Sequence, residues 1–288
     1  MTAATRGILW MMLAMIMFVG VNTTAKYLTQ FHSVPQVVWA RYVFHALVLV
    51  LLLAPRLKKL LATNRLKLQL FRSFLLLVTT GFFFTGLSHM GVADAMAVMF
   101  LTPILITALS VPLLGETVGP RRWAGVAVGL AGALIIVRPG MGVAQVAALT
   151  LLAAAFTHAF YQISTRRLSG TDRVLTTLLY TASVGAVVSS LVVPWYWVTP
   201  DVTGWLLMAL MGTFAAAGHF ALIQAYTAAE ASVVTPFQYT GLLWATLFGF
   251  LVFGDLPGGG TVLGAGIIAA SGFYLYYREH RGKAGVEG

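Results

Sequence analysis

The sequence predicts an all-α membrane protein of ten transmembrane helices, arranged as two five-helix repeats of opposite orientation. Three observations predict this fold class. Of 288 residues, 59% are hydrophobic and only 9% charged, against roughly a quarter charged in soluble domains. The apolar residues gather into runs of about twenty, the length a helix needs to cross a bilayer. Four of the eight acidic residues stand at matching places in the two halves of the chain.

The runs are too long and continuous for barrel strands. Lipid accepts only helices or closed barrels, because every backbone group must find its partner internally. The first span, 8–29, follows a lone Arg6. It is longer than the apolar core of a cleavable signal peptide and is read as a retained helix. The second, 34–54, carries Arg41 and ends before a basic run, after which the third occupies 69–88. The fourth, 92–113, opens at Ala93-Asp94-Ala95, contains Pro103 and closes at Leu114-Gly115-Glu116. The fifth, 121–138, is glycine-rich through Gly125, Gly129 and Gly132. Spans six and seven, 144–165 and 174–194, flank Arg166, Arg167 and Arg173. The seventh ends in Trp195-Tyr196-Trp197, an aromatic belt of the kind found where a helix leaves the bilayer. The eighth is 205–226; the ninth, 231–252, opens at Ala229-Glu230-Ala231, contains Pro236 and closes at Phe253-Gly254-Asp255. The tenth, 261–278, is again glycine-rich through Gly264, Gly266 and Gly272.

Loop charge sets the orientation, since cytoplasmic loops collect Lys and Arg. With a cytoplasmic N-terminus, one side receives Arg6, the run from Arg56 through Lys58, Lys59, Arg65 and Lys67 to Arg72, the pair Arg121 and Arg122, the group Arg166, Arg167 and Arg173, and the tail Arg278, Arg281 and Lys283. The other side holds only Lys26 and Arg138, and Arg41 lies within the second span. Both termini are therefore expected in the cytoplasm. The net charge of +10 belongs to these loops, and no nucleic-acid partner is expected.

Residues 82–138 and 215–278 share a skeleton: the same small-acidic-small opening, the same glycine-acidic ending, the same glycine-rich helix after it. This divides the chain into repeats at 1–140 and 141–288. Five helices per repeat put the second copy in the opposite orientation. Inverted repeats recur in secondary transporters, with the solute site near the midplane, because one pattern then builds two gates that face opposite sides. The expected activity is movement of a small solute.

Particular residues carry a resemblance. Gly20-Val21-Asn22 in the first helix, Arg41 in the second, and Gly115-Glu116 followed by Arg122-Trp123-Ala124-Gly125 resemble the drug/metabolite transporter superfamily, and within it the EamA-type transporters of ten helices. Its YddG-like exporters of aromatic and other amino acids are the nearest in character. The resemblance implies a basket of helices around a central cavity, lined by helices one, three, four, six, eight and nine, in the bacterial inner membrane. It also implies amino-acid substrates (aromatic or apolar, methionine, threonine) moved outward by alternating access.

Polar groups at membrane depth are costly and mark candidate sites. Asn22 and Lys26, four apart on one helix face, are expected to line the cavity, Lys26 either attracting a solute carboxylate or snorkelling to the interface. Phe82 and His89 share a face of helix three, and His219 and Tyr226 take the same spacing in helix eight. Helix six adds His158, Tyr161 and Gln162; helix nine adds Gln238, Tyr239 and Trp244. Rings of this kind supply area and attract an ammonium group through their faces. Pro103 and Pro236 are expected to kink helices four and nine, each freeing a backbone carbonyl. Asp94 and Glu230 at helix starts, and Glu116 and Asp255 at helix ends, are given structural roles, with Glu116 near Arg121 or Arg122.

Other classes lack their chemistry. There is no cysteine and no HExxH pattern, and no histidine–carboxylate cluster at depth, so neither an enzyme nor a metal or other cofactor is expected. Small multidrug exporters of the same superfamily couple to protons through a first-helix glutamate. This chain has no carboxylate there or at the middle of any span, so a facilitator is expected. The alternative is an exporter of another metabolite or drug class coupled to protons through histidine, which titrates near neutrality. The Gly125/Gly129 pair suits close helix packing, assigned within the chain rather than to a dimer seam. The expected partners are a small-molecule solute and lipid, with the chain as a monomer.

Overall fold

The computed structural model describes residues 2–115, 119–137, 142–168, 171–229 and 231–284. All regular elements among them are helical. Helix α1 (Ala3–Leu28) starts where Thr2 accepts a hydrogen bond from the Thr5 amide at 3.2 Å. Helix α2 (Val34–Leu53) is capped by Ser33, with Pro35 in its first turn, where no donor is needed. A short helix α3 (Leu57–Leu60) and then α4 (Leu66–Leu87), α5 (Val92–Met99), α6 (Thr102–Leu114) and α7 (Pro120–Val137) complete the first half. The second half comprises α8 (Gly142–Leu168), α9 (Val174–Val192), α10 (Val202–Ala228), α11 (Ala231–Val234), α12 (Thr240–Phe253) and α13 (Gly259–Ala284). Asp201 caps α10 by accepting from the Gly204 amide at 2.6 Å.

Seven helical stretches among the described residues are long and apolar enough to cross a membrane, and three further apolar helices, Trp123–Ile136, Phe237–Phe253 and Gly259–Ser271, are shorter. The chain is a multi-pass membrane protein.

Two of the expected helices are broken rather than kinked. The span around Pro103 splits into α5 and α6 at Phe100–Leu101, and Pro103 sits at the start of α6. Pro112, not singled out in the sequence, is the proline inside that helix. The span around Pro236 splits into α11, a 3-10 stretch (Thr235–Tyr239) and α12; the Pro236 side chain lies outside those described. In both cases the missing amide removes the hydrogen bond that would carry the helix through. Both broken helices then end alike. Gly115 (φ 68, ψ 19) and Gly254 (φ 70, ψ 9) take the left-handed conformation that closes a helix, open to glycine because it lacks a Cβ.

Contacts run in a closed ring: α1 packs on α10, α10 on α2, α2 on α9, α9 on α4, α4 on α8 and α8 on α6, while α5 packs on α12 and α12 on α1. Small residues make the close approaches. A Cβ on Gly86 of α4 would lie 2.5 Å from Leu151 Cγ of α8. Helices α7 and α13 pair against α5 and α6 along a glycine seam, where a Cβ on Gly132 would meet the Gly264 carbonyl oxygen at 2.9 Å and Ser271 Oγ donates to the Gly125 carbonyl at 2.6 Å. Gly125, Gly129, Gly132 and Gly264 are therefore used in packing within the chain, whereas Gly266 meets nothing within 4 Å. At the end of α9, Trp195 is 79% exposed, as an interfacial anchor would be, while Trp197 meets Trp39 edge-on at 5.3 Å.

Candidate functional site

The interior of the ring concentrates cationic and imidazole groups at mid-length of the helices. Arg41 on α2 donates through Nη1 to Thr80 Oγ1 of α4, and at 3.4 Å to the Tyr42 hydroxyl. Thr80 uses its own proton on the Leu76 carbonyl, so its oxygen accepts from both Arg41 and Tyr42, the latter at 2.9 Å. Tyr42 is locked in turn, its ring lying where any Cβ on Gly185 of α9 would fall. These neutral groups hold the guanidinium without neutralising it. Its Nε is buried and unpartnered among the described residues, and no hydrogen bond leaves Nη2.

One turn along α2, the His45 ring stacks on His219 of α10 at 5.4 Å and 8°, and Phe18 of α1 meets His219 edge-on at 5.0 Å. On α8, His158 stacks with Tyr161 at 5.5 Å. Arg41 lies within electrostatic range of His45, His158 and His219. His45 Nε2, His158 Nδ1 and, on α12, Trp244 Nε1 are buried with no hydrogen-bond partner among the described residues. A bare charge at helix centre costs about 2.5–3.5 kcal/mol by insertion scales.

A second guanidinium contrasts with the first. Arg72 of α4, counted with the loop charges from sequence, is 2% exposed inside the bundle. Its Nε donates to Thr165 Oγ1 at 2.6 Å, Nη1 to Thr181 Oγ1 at 2.8 Å, and Nη2 to the Tyr161 hydroxyl at 2.7 Å. Every nitrogen is used, so Arg72 fastens α4, α8 and α9 together. Nearby, Gln69 Nε2 and the Thr63 hydroxyl both donate to Asp172 Oδ2, at 2.8 and 2.6 Å.

At one end of the ring, Lys26 Nζ pairs with Asp255 Oδ2 at 2.5 Å and lies 4.5 Å from the Phe253 ring centre. The pair borders a recess of about 500 Å³ that also takes in Ser88, His89 and Asp94. Asp94 stands in the first turn of α5, where its charge meets the positive end of the helix. The partner of Lys26 is thus the protein's own carboxylate. Asp255 takes part in an ion pair as well as following a helix end.

The remaining expected residues divide. His158 and His219 come together with Arg41, Tyr161 stacks on His158 and bonds Arg72, and Trp244 packs against the core from α12. His89 does not share a helix face with Phe82, because α4 ends at Leu87 and His89 lies in the turn beyond. Phe82 is 38% exposed and Gln162 exposed, while Asn22 is half-buried on α1. Tyr226 stands toward the opposite end of the bundle from Lys26, accepting from Gln238 Nε2 at 2.7 Å. Tyr239 meets Phe100 edge-on at 5.0 Å. The helix-end roles expected of Glu116 and Glu230 fall outside the described residues. His45 was missed from sequence although it stands four residues after Arg41, the spacing that shares a helix face.

In sequence, the chain matches the EamA-like transporter family over residues 5–138 and again over 145–277. It is 28% identical over 276 residues to the S-adenosylmethionine uptake transporter of Rickettsia prowazekii (strain Madrid E), covering 96% of this chain and 94% of that one. It is 32% identical over 273 residues to the riboflavin transporter of Vibrio cholerae serotype O1, covering 92% and 91%. A pseudopaline exporter of Pseudomonas aeruginosa is 25% identical over 195 residues, covering 66% and 67%. A solved crystal structure superposes with a TM-score of 0.65 at 19% identity, covering 95% of this chain and 98% of that chain, a likeness of fold.

Proposed function

We propose, since the chain belongs to the EamA-like transporter family, that it carries a small organic metabolite across the bacterial inner membrane by alternating access through the interior of the ring. The observation that carries this reading is the group formed by Arg41, His45, His158 and His219 at mid-length of three helices, α2, α8 and α10, where a solute site between two halves is expected. Amino-acid export, the expectation from sequence, finds no counterpart among the solutes for which the relatives above are named. S-adenosylmethionine and riboflavin are accordingly the first substrates to try. The relatives include both uptake and export, and the direction proposed for this chain is that of the solute gradient.

The seven long spans together with the three shorter apolar helices are read as ten crossings, in inverted halves 1–140 and 141–288 with both termini cytoplasmic. The double family match and the paired glycine caps at Gly115 and Gly254 support that reading. In this arrangement the Lys26–Asp255 pair closes the outer mouth. Asp94, Asp172, Asp201 and Asp255 are at helix ends or between helices, and Glu279 falls in the last turns of α13. That placement favours a facilitator over a carboxylate-driven proton cycle.

Purified protein in liposomes tests the proposal. Saturable uptake of labelled S-adenosylmethionine or riboflavin is expected without an imposed pH gradient. Transport of amino acids alone would return the substrate to the expectation from sequence. A strict need for a proton gradient would overturn the facilitator.

A further inference from the structure

The chemistry of the interior narrows the substrate class, on the premise that the carrier reading above holds. Among the described residues, two guanidiniums lie inside the bundle, and the protein treats them differently. Arg72 spends its Nε, Nη1 and Nη2 on Thr165, Thr181 and Tyr161. Arg41 spends only Nη1, on Thr80 and Tyr42. Its Nε–Nη2 edge is left bare, with Nε buried. That edge presents two parallel N–H donors, the fork that matches the two oxygens of a carboxylate or phosphate.

No protein anion among the described residues answers it. Asp94, Asp172, Asp201 and Asp255 stand at helix ends or between helices, and Asp255 is already paired with Lys26. The groups that feel the Arg41 charge among the described residues are the Tyr42 hydroxyl and the imidazoles of His45, His158 and His219. Thr80 and Tyr42 fix the guanidinium plane through one nitrogen and so orient the free edge in advance.

We propose that the transported solute carries an oxyanion, a carboxylate or a phosphate, which docks on the Nε–Nη2 edge of Arg41. The ring faces of His219 and Phe18 and the buried N–H of Trp244 then serve the rest of the molecule. Within the class of small metabolites, an organic anion or zwitterion is selected over a neutral compound of the same size.

Matched pairs that differ only in the anion test this in proteoliposomes. S-adenosylmethionine is compared with its decarboxylated form, and flavin mononucleotide with riboflavin; the first pair reports a carboxylate and the second a phosphate. The anion-bearing member of at least one pair is expected to enter about tenfold or more faster at low concentration, the lower range for hydrogen bonds to a charged group. Arg41→Gln abolishes that preference, and Arg41→Lys, which keeps the charge but not the fork, retains part of it. Size-exclusion profiles in detergent establish that each variant is folded, and Thr80→Val, which frees the guanidinium without removing it, is expected to weaken the preference in a second, independent way. Equal entry of both members of each pair, or a preference that survives Arg41→Gln, overturns the inference and leaves the carrier reading intact. Entry of none of the four compounds overturns the substrates proposed above together with this inference.

Discussion

The Lys26 ammonium and the Asp255 carboxylate meet at 2.5 Å, joining the last turn of α1 to the residue that follows the left-handed cap of α12. The two ends are held by one ion pair and by the Phe253 ring beneath Lys26. Asp255 is 45% exposed, so screening by solvent limits the pair to about 0.2–1 kcal/mol.

Asp255→Asn is therefore expected to loosen this end by a factor of roughly 1.5–5 in the ratio of open to closed forms. The chain has no cysteine, so one introduced at Leu256, on the rim of the recess, reports opening through its labelling by a membrane-impermeant maleimide. Faster labelling in Asp255→Asn and Lys26→Met, restored in the charge-swapped double variant, is the expected result. Unchanged labelling would mean that packing alone closes this end.

Arg72→Ala is expected to destabilise the folded protein by about 2–4 kcal/mol, the loss of several hydrogen bonds from one charged donor. Thermal unfolding in detergent measures it. Arg72→Lys recovers only part, because one ammonium cannot reach Thr165, Thr181 and Tyr161 together. A variant as stable as the parent would remove Arg72 from the framework.

At Gly86, an added methyl would lie 2.5 Å from Leu151 Cγ, an overpacking cost of about 1–3 kcal/mol. Gly86→Ala should lose folded yield, and Leu151→Ala in the same chain should restore only part of it, because the Ala147 carbonyl oxygen also lies 2.9 Å from the added methyl. Gly132→Ala has no such remedy, because its nearest neighbour is the Gly264 backbone oxygen at 2.9 Å. Equal rescue at both sites would contradict the packing described.

How much of this was legible in the sequence follows from the range of the forces involved. Apolar runs report lipid contact residue by residue, so the positions of the long helices were readable within a few residues. The breaks at Phe100–Leu101 and in Thr235–Tyr239 were foreshadowed by Pro103 and Pro236, but proline does not say whether a helix bends or stops. The site was half visible. His158 and His219 stand out in the sequence because a polar group at depth is conspicuous by itself. The Lys26–Asp255 pair spans 229 positions, and no local pattern encodes such a contact. Arg72 read as a loop charge because it stands only six residues into α4, and its burial depends on oxygens supplied by α8 and α9.

His219→Ala is expected to slow uptake about fivefold or more with normal yield, since it removes a ring stacked on His45 and met edge-on by Phe18 in the interior and such aromatic contacts are worth roughly 0.5–1.5 kcal/mol each. Tyr226→Ala should change uptake by about twofold at most: its hydroxyl answers Gln238, and the side chain is 43% exposed, which places it among weak surface hydrogen bonds. Initial rates in proteoliposomes separate the two, and a larger effect at Tyr226 would move the solute path toward the α11 end.

Arg41 also sits in an electric field. A fixed guanidinium at mid-helix senses whatever part of the membrane voltage falls between it and the face to which it is connected. Each elementary charge taken across 100 mV is worth about 2.3 kcal/mol. A cycle that hands Arg41 from one face to the other therefore works with or against the voltage when its edge is bare, and is indifferent to voltage when a monoanion covers it. In the carrier cycle proposed above, resting potential, and not only concentration, then sets how fast the empty protein resets.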